Sequence, residues 1–274
     1  MFSTRSVLLA LAVSSAAAPF ALGSAPERRL VIVGGGERPP AALARFVAWA
    51  GGSGARVLVL TWASGEPKAS CEALVADLAP HGPGTTLCSP EATLDAKGKA
   101  APLDAASRGL FLEELRSATG VFFTGGDQAR IMDVLDAELL AAVRRRHADG
   151  VVFGGTSAGA AAMSLRMITG DGDFTVLDGD QVVVREGLGL VPGVIIDQHF
   201  VRRQRENRLL GLVLKHPDER GVGIDEDTAL LVTNGRKAEV VGKGPVLLVD
   251  AKGRDRLMLT VVRSGQSLDL GKKP

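Results

Sequence analysis

The sequence has little cysteine, no excess charge of either sign, and no long hydrophobic run beyond its N-terminus. Two cysteines in 274 residues, Cys71 and Cys88, exclude a fold held together mainly by disulfides. They form no C-x-x-C pair and lack metal-ligand spacing, so no zinc site is expected. One accessory bond and two free thiols are both open. Lys plus Arg total 32 against 31 Asp plus Glu, a net charge of +1. That balance gives no electrostatic reason to expect a nucleic-acid partner. After the N-terminal segment nothing approaches the ~20 apolar residues of a membrane span. Gly34-Gly35-Gly36 lacks G-x-G-x-x-G spacing and has no Walker lysine, which argues against a nucleotide loop. No internal repeat and no linker divides the chain.

What is present begins with a leader. Arg5 supplies a short positive region, and residues 7–18 are apolar except for Ser14 and Ser15. Ala21-Leu22-Gly23 then offers small residues before Ser24. Residues 1–23 read as a signal peptide and 24–274 as a single exported domain, periplasmic or extracellular. Export would permit a bond between Cys71 and Cys88.

From residue 29 onward short apolar runs alternate with amphipathic stretches. Strands are expected at 30–33, 57–60, 120–123, 151–153, 194–196, 221–224 and 229–233. Helices are expected at 39–50, 66–78, 105–118, 157–165 and 201–215, with one or two over 127–148. Residues 81–99 read mostly as loop, and 238–262 as short strands in hairpins. Apolar strands separated by helices indicate an α/β fold of three layers. Its central sheet is mostly parallel and covered by helices on both faces. Such sheets gather ligands beyond the carboxyl ends of their strands. Residues 34–36, 125–128, 155–157, 197–199 and 225–227 should therefore converge.

Gly155-Thr156-Ser157-Ala158-Gly159 fits G-x-S-x-G between a strand and a run of small residues, the setting of a nucleophile elbow. A helix-capping serine is the plainer alternative. The serine needs a base, and there are four histidines. His81 lies in a Gly/Pro loop. His147 and His216 end helices, where a cation is a routine surface feature. His199 follows a strand by three residues and is the best-placed base. Asp225, Glu226 and Asp227 follow the next strand, and the pattern does not choose among them. Gly125 and Gly126 can expose backbone N–H groups that would join Ala158 in holding an oxyanion. Arg202, Arg205 and Arg208 recur every three residues on the expected helix, a solvated face or a carboxylate-binding one.

Four stretches resemble one family. They are FTGGDQAR at 123–130, GGTSAGAAAMS at 154–164, GLGLVPGVIIDQHFVRRQRENRLL at 187–210 and GVGIDEDTALLV at 221–232. Together they resemble cyanophycinase, of the serine peptidase family that also contains aspartyl dipeptidases. The resemblance implies a flavodoxin-like fold related to class I glutamine amidotransferases. It implies a triad of Ser157, His199 and Glu226, which selects the middle acid. It implies a substrate pocket lined by Gln128, Asp197, Gln198, Arg203, Arg205 and Arg208, with no metal or other cofactor and a homodimeric assembly. The implied substrate is cyanophycin, a poly-aspartate bearing arginine on its side chains, cut to β-Asp-Arg dipeptides. Val201-Arg202 departs from the small polar residues that related enzymes often carry there, so Arg202 and Glu206 could reshape the pocket. An aspartyl or isoaspartyl dipeptidase and a non-catalytic secreted binding protein are the rival readings.

Overall fold

A computed structural model of the chain describes residues 25–173, 175–253 and 255–271. The expected leader, residues 1–23, lies outside the described residues. In chain order the first half runs β1 (Arg29–Val33), α1 (Pro40–Trp49), β2 (Arg56–Leu60), α2 (Pro67–Leu78), β3 (Thr85–Cys88), α3 (Ala105–Ser117), β4 (Gly120–Phe123), α4 (Gln128–Val134), α5 (Ala137–Ala148) and β5 (Val152–Thr156). The inner strands are buried on both faces, which is why they read as unbroken apolar runs. β1 sends Val31 and Val33 toward α1 and α2, where Phe46 and Leu74 pack. Leu30 and Ile32 face the opposite layer, with Phe111 of α3, Ile131 of α4 and Leu139 of α5. Each such large side chain removed from water contributes about 1.5–3 kcal/mol. Proline occupies an opening position of α1 and α2, where its missing N–H costs nothing. Asp104, Asp127 and Asp136 cap α3, α4 and α5 by accepting first-turn N–H groups.

After β5 come the one-turn α6 (Ala158–Ala161), β6 (Arg166–Gly172), β7 (Val182–Glu186), β8 (Val194–Gln198), α7 (Glu206–Lys215), β9 (Arg220–Ile224), β10 (Thr228–Thr233), β11 (Lys237–Gly242), β12 (Val246–Ala251), β13 (Leu257–Val262) and β14 (Ser267–Asp269). β3, β2, β4, β5 and β1 pair in parallel. β10, β11 and β14 extend that sheet antiparallel, giving the order β14-β11-β10-β1-β5-β4-β2-β3. The fold is α/β, a mixed sheet with helices on both faces, as the alternation predicts.

Several elements differ from expectation. β8 and β9 lie in a second, four-stranded sheet ordered β13-β12-β9-β8, because β10 takes the place beside β1. Only Asp225, Glu226 and Asp227 separate β9 from β10, so the sheets meet at that turn. The loop expected over 81–99 contains β3, an edge strand whose mostly exposed residues leave no buried pattern to read. The elbow helix ends at Ala161, since the carbonyls of Ala162 and Met163 accept the N–H groups of Leu188 and Leu190. The helix expected from 201 begins at Glu206, after turns that include Gln204 in the left-handed region at φ 52°. His147, read as a surface residue, is buried with its ring edge-on to Phe153. Cys71 of α2 and Cys88 of β3 are joined in a disulfide, with Cα atoms 6.1 Å apart.

Candidate active site

The serine stands where the parallel sheet ends. β5 runs through Gly155 and Thr156, and Ser157 then turns at φ 51°, ψ −110° before α6. Glycine is required on both sides of that turn. A Cβ at Gly155 would come within 2.5 Å of the Gly159 backbone, and one at Gly159 within 2.4 Å of the Phe123 carbonyl. The Ser157 N–H donates to the Val33 carbonyl at 3.0 Å, fixing the elbow to the end of β1.

His199 approaches from the second sheet. It follows β8 and also holds a left-handed backbone, at φ 51°. Its N–H donates to the Gly34 carbonyl at 2.7 Å, and its imidazole lies against Gly35. A Cβ at Gly35 would sit 2.2 Å from His199 Cε1, so any larger residue would displace the ring. The glycine turn after β1 thus joins both sheets, through Gly34 N–H to the Thr228 carbonyl and His199 N–H to the Gly34 carbonyl.

Ser157 Oγ lies 2.8 Å from His199 Nε2, and His199 Nδ1 lies 2.6 Å from Glu226 Oε1. A carboxylate accepts and cannot donate, so the proton belongs on Nδ1. Nε2 is then free to accept from the serine hydroxyl. Burial holds the His199 pKa below its ordinary value, opposed by the Glu226 hydrogen bond and reinforced by the charge of Arg203. The other two acids face elsewhere. Asp225 Oδ1 accepts the Arg202 N–H at 3.0 Å, and Asp227 Oδ1 accepts the Glu37 N–H at 2.7 Å.

Gly125 and Gly126 form a second wall. A Cβ at Gly125 would touch Ser157 Cβ at 3.4 Å. Gly126, at φ 135°, lies so close to Ala63 that a Cβ would be 2.0 Å from the Ala63 carbonyl oxygen. Among the described residues no backbone acceptor takes the N–H of Gly126 or of Ala158. Ala63, on the strand-end shelf after β2, is a supporting residue that sequence pattern left unmarked.

The expected pocket residues divide. Arg203 is exposed, with Nε 3.8 Å from Glu226 Oε1. Arg205 donates to the Gln198 carbonyl at 3.0 Å and to Gln198 Oε1 at 2.7 Å. Burial lowers its pKa to about 10, which leaves it a cation at neutral pH. Three others do not line an open pocket with free side chains. Asp197 and Arg208 are almost fully buried and grip each other through two hydrogen bonds, one of 2.7 Å from Nε. Gln128 is buried and donates to the Ile168 carbonyl at 2.6 Å. The signal for Arg208 was in the helix pattern. It stands beside Leu209 and one turn before Leu212 and Val213, the buried face of α7. Arg202, Arg205 and Arg208 share no helical face, since only Arg208 lies within α7. Among the described residues no three His, Cys, Asp or Glu side chains cluster as a metal site would require.

Comparison with known proteins finds relatives by sequence and by fold. A cyanophycinase from Trichormus variabilis is 45% identical over 138 residues, covering 50% of this chain and 46% of its own length. One from Geminocystis herdmanii is 42% identical over 144 residues, covering 52% of this chain and 53% of its own. The chain thus spans about half the length of the curated relatives it matches. A solved peptidase from an acI-B1 actinobacterium superposes with TM-score 0.63 at 20% identity, over 88% of this chain and 96% of that one. A putative peptidase E from Listeria monocytogenes gives 0.54 at 14% identity, over 80% and 100% of the respective chains. Both show the fold. The profile of peptidase family S51 matches residues 97–240, a stretch that includes the elbow, His199 and Glu226. That is more than half of the 274 residues, and the chain belongs to peptidase family S51.

Proposed function

We propose that the chain is an exported serine exopeptidase that hydrolyses cyanophycin to β-Asp-Arg dipeptides. One observation carries the reading: the continuous Ser157–His199–Glu226 hydrogen-bond chain at the end of β5. Ser157 Oγ attacks the scissile carbonyl while His199 Nε2 takes its proton. Glu226 keeps the imidazole in the Nδ1–H tautomer and stabilises the imidazolium that forms. The N–H groups of Gly126 and Ala158, which have no backbone acceptor among the described residues, receive the developing oxyanion. His199 then returns the proton to the leaving amine, and water, deprotonated by the same nitrogen, hydrolyses the acyl-enzyme.

Arg203, Arg205 and Gln198 stand nearest the acid–base pair, and we assign them to the substrate. Arg203 offers an exposed guanidinium suited to a substrate carboxylate. Asp197, Arg208 and Gln128 act beneath them, fixing β8 to α7 and α4 to β6. Export is supported by the leader sequence and by the disulfide, which persists in oxidising compartments. The assembly is proposed to be a homodimer. No helix among the described residues is long and apolar enough to cross a membrane.

The test incubates the purified protein and its Ser157→Ala variant with insoluble cyanophycin and identifies soluble products by mass. Release of β-Asp-Arg by the wild type, reduced on the order of 10⁴-fold or more in the variant, is expected. No release from the polymer, with turnover of small β-aspartyl peptides, would replace the substrate and keep the chemistry.

A further inference from the structure

Asp227 lies outside the Ser157–His199–Glu226 chain, yet four constraints meet on it. Its backbone is left-handed, at φ 57°. Its N–H donates to the Gly35 carbonyl at 2.9 Å, and its Oδ1 accepts the Glu37 N–H at 2.7 Å. Gly36 comes so near that a Cβ there would be 2.4 Å from Asp227 Oδ1. The segment it clamps is the one the base rests on. Gly34 accepts the His199 N–H, and Gly35 leaves room only for the imidazole. Glu226 immediately precedes Asp227, and its carbonyl is tied from the other side by Thr228 Oγ1 at 3.0 Å. Thr228 Oγ1 in turn accepts the Gly244 N–H at 2.7 Å.

We infer that Asp227 is a positioning residue, which sets the register of His199 against Glu226 by clamping the glycine turn under the imidazole. It acts as a hydrogen-bond acceptor on a left-handed backbone, and its charge is incidental. Lys243 reaches Asp227 Oδ2 at 3.5 Å, but from a side chain 72% exposed, where water screens the attraction. The inference rests on the triad proposed above.

The acceptor and the charge separate by substitution. Asp227→Asn keeps the Oδ1 acceptor, and asparagine tolerates the left-handed region better than other non-glycine residues. Asp227→Ala loses the acceptor and strains the turn. Asp227→Gly loses the acceptor without straining the turn. The readout is inactivation by a fluorophosphonate, resolved into its maximal rate and its half-saturating concentration, which needs no knowledge of the natural substrate. The rate should fall about 10- to 100-fold in the Ala and Gly variants, with half-saturation little changed. Asp227→Asn should stay within about threefold of wild type, since the geometry is kept. Wild-type rates in Asp227→Gly would overturn the inference, and so would a loss in Asp227→Asn as large as in Asp227→Gly. Should the Ala variant not fold, the Gly and Asn pair carries the same comparison. Glu226→Gln is run alongside. A wild-type rate there would remove the triad itself, whereas a loss there with no loss in Asp227→Gly would remove only the role of Asp227.

Discussion

Ser157 and His199 both hold φ of 51°, a region that costs a side-chain-bearing residue of order 1–3 kcal/mol. Asp227 makes a third left-handed residue at the same place, beside Glu226. The strain is held by tertiary bonds, from Ser157 to Val33 and from His199 to Gly34. His199 is also where a pH dependence is expected. As the proposed base it acts through its neutral imidazole, so activity should be lost as pH falls and the ring protonates. Burial and the nearby cations Arg203 and Arg205 favour the neutral form, Glu226 favours the charged one, and burial is the largest of these. The acid limb of kcat/KM should therefore fall below the ordinary histidine value of ~6.5. A limb at about 7 or above would mean that Glu226 outweighs burial, or that another group titrates. Much of this site was legible in the sequence. Ser157 and His199 follow from polar residues placed directly after apolar strands. Glu226 does not, because Asp225, Glu226 and Asp227 look alike until the turn that aims them is known.

At the scale of elements, the disulfide joins parts that packing holds unequally. α2 sits in the core through Cys71, Leu74 and Leu78, whereas β3 pairs with β2 at the edge of the described sheet and is largely exposed. A bond across 17 residues restrains the unfolded chain and ties down this edge. The Cys71→Ser/Cys88→Ser double variant should be less stable by about 2–4 kcal/mol, measured by the urea midpoint. An unchanged midpoint would show that β3 adds nothing to global stability. β3 escaped the sequence because an exposed edge strand has neither an apolar run nor a buried alternation. α7 was read too long for the opposite reason. Residues 201–205 have adequate helix propensity, but Asp225 Oδ1 takes the Arg202 N–H and the local backbone bonds run at mixed spacings, Arg203 to His199, Gln204 to Val201 and Arg205 to Phe200, so the stretch forms turns instead.

On the scale of the whole molecule, the three groups of the proposed triad come from two sheets. Ser157 follows a strand of the large parallel array, while His199 and Glu226 follow adjacent parallel strands of the smaller sheet. The rule that ligands gather beyond strand ends brought the correct segments together, although it assumed one sheet. The split was not legible, because β8 and β9 are buried along their whole length like the central strands and only pairing distinguishes them. The glycine turn at 34–36 bridges the two sheets, and α7 is anchored to β8 through the buried Arg208–Asp197 pair.

In the proposed function this junction makes Ser157 a nucleophile. That role is tested most directly by treating the purified protein with a fluorophosphonate and locating the adduct by peptide mass mapping. A single adduct on Ser157 is predicted, absent from Ser157→Ala and formed far more slowly in His199→Ala. No adduct, or an adduct on another residue that persists in Ser157→Ala, would contradict the account.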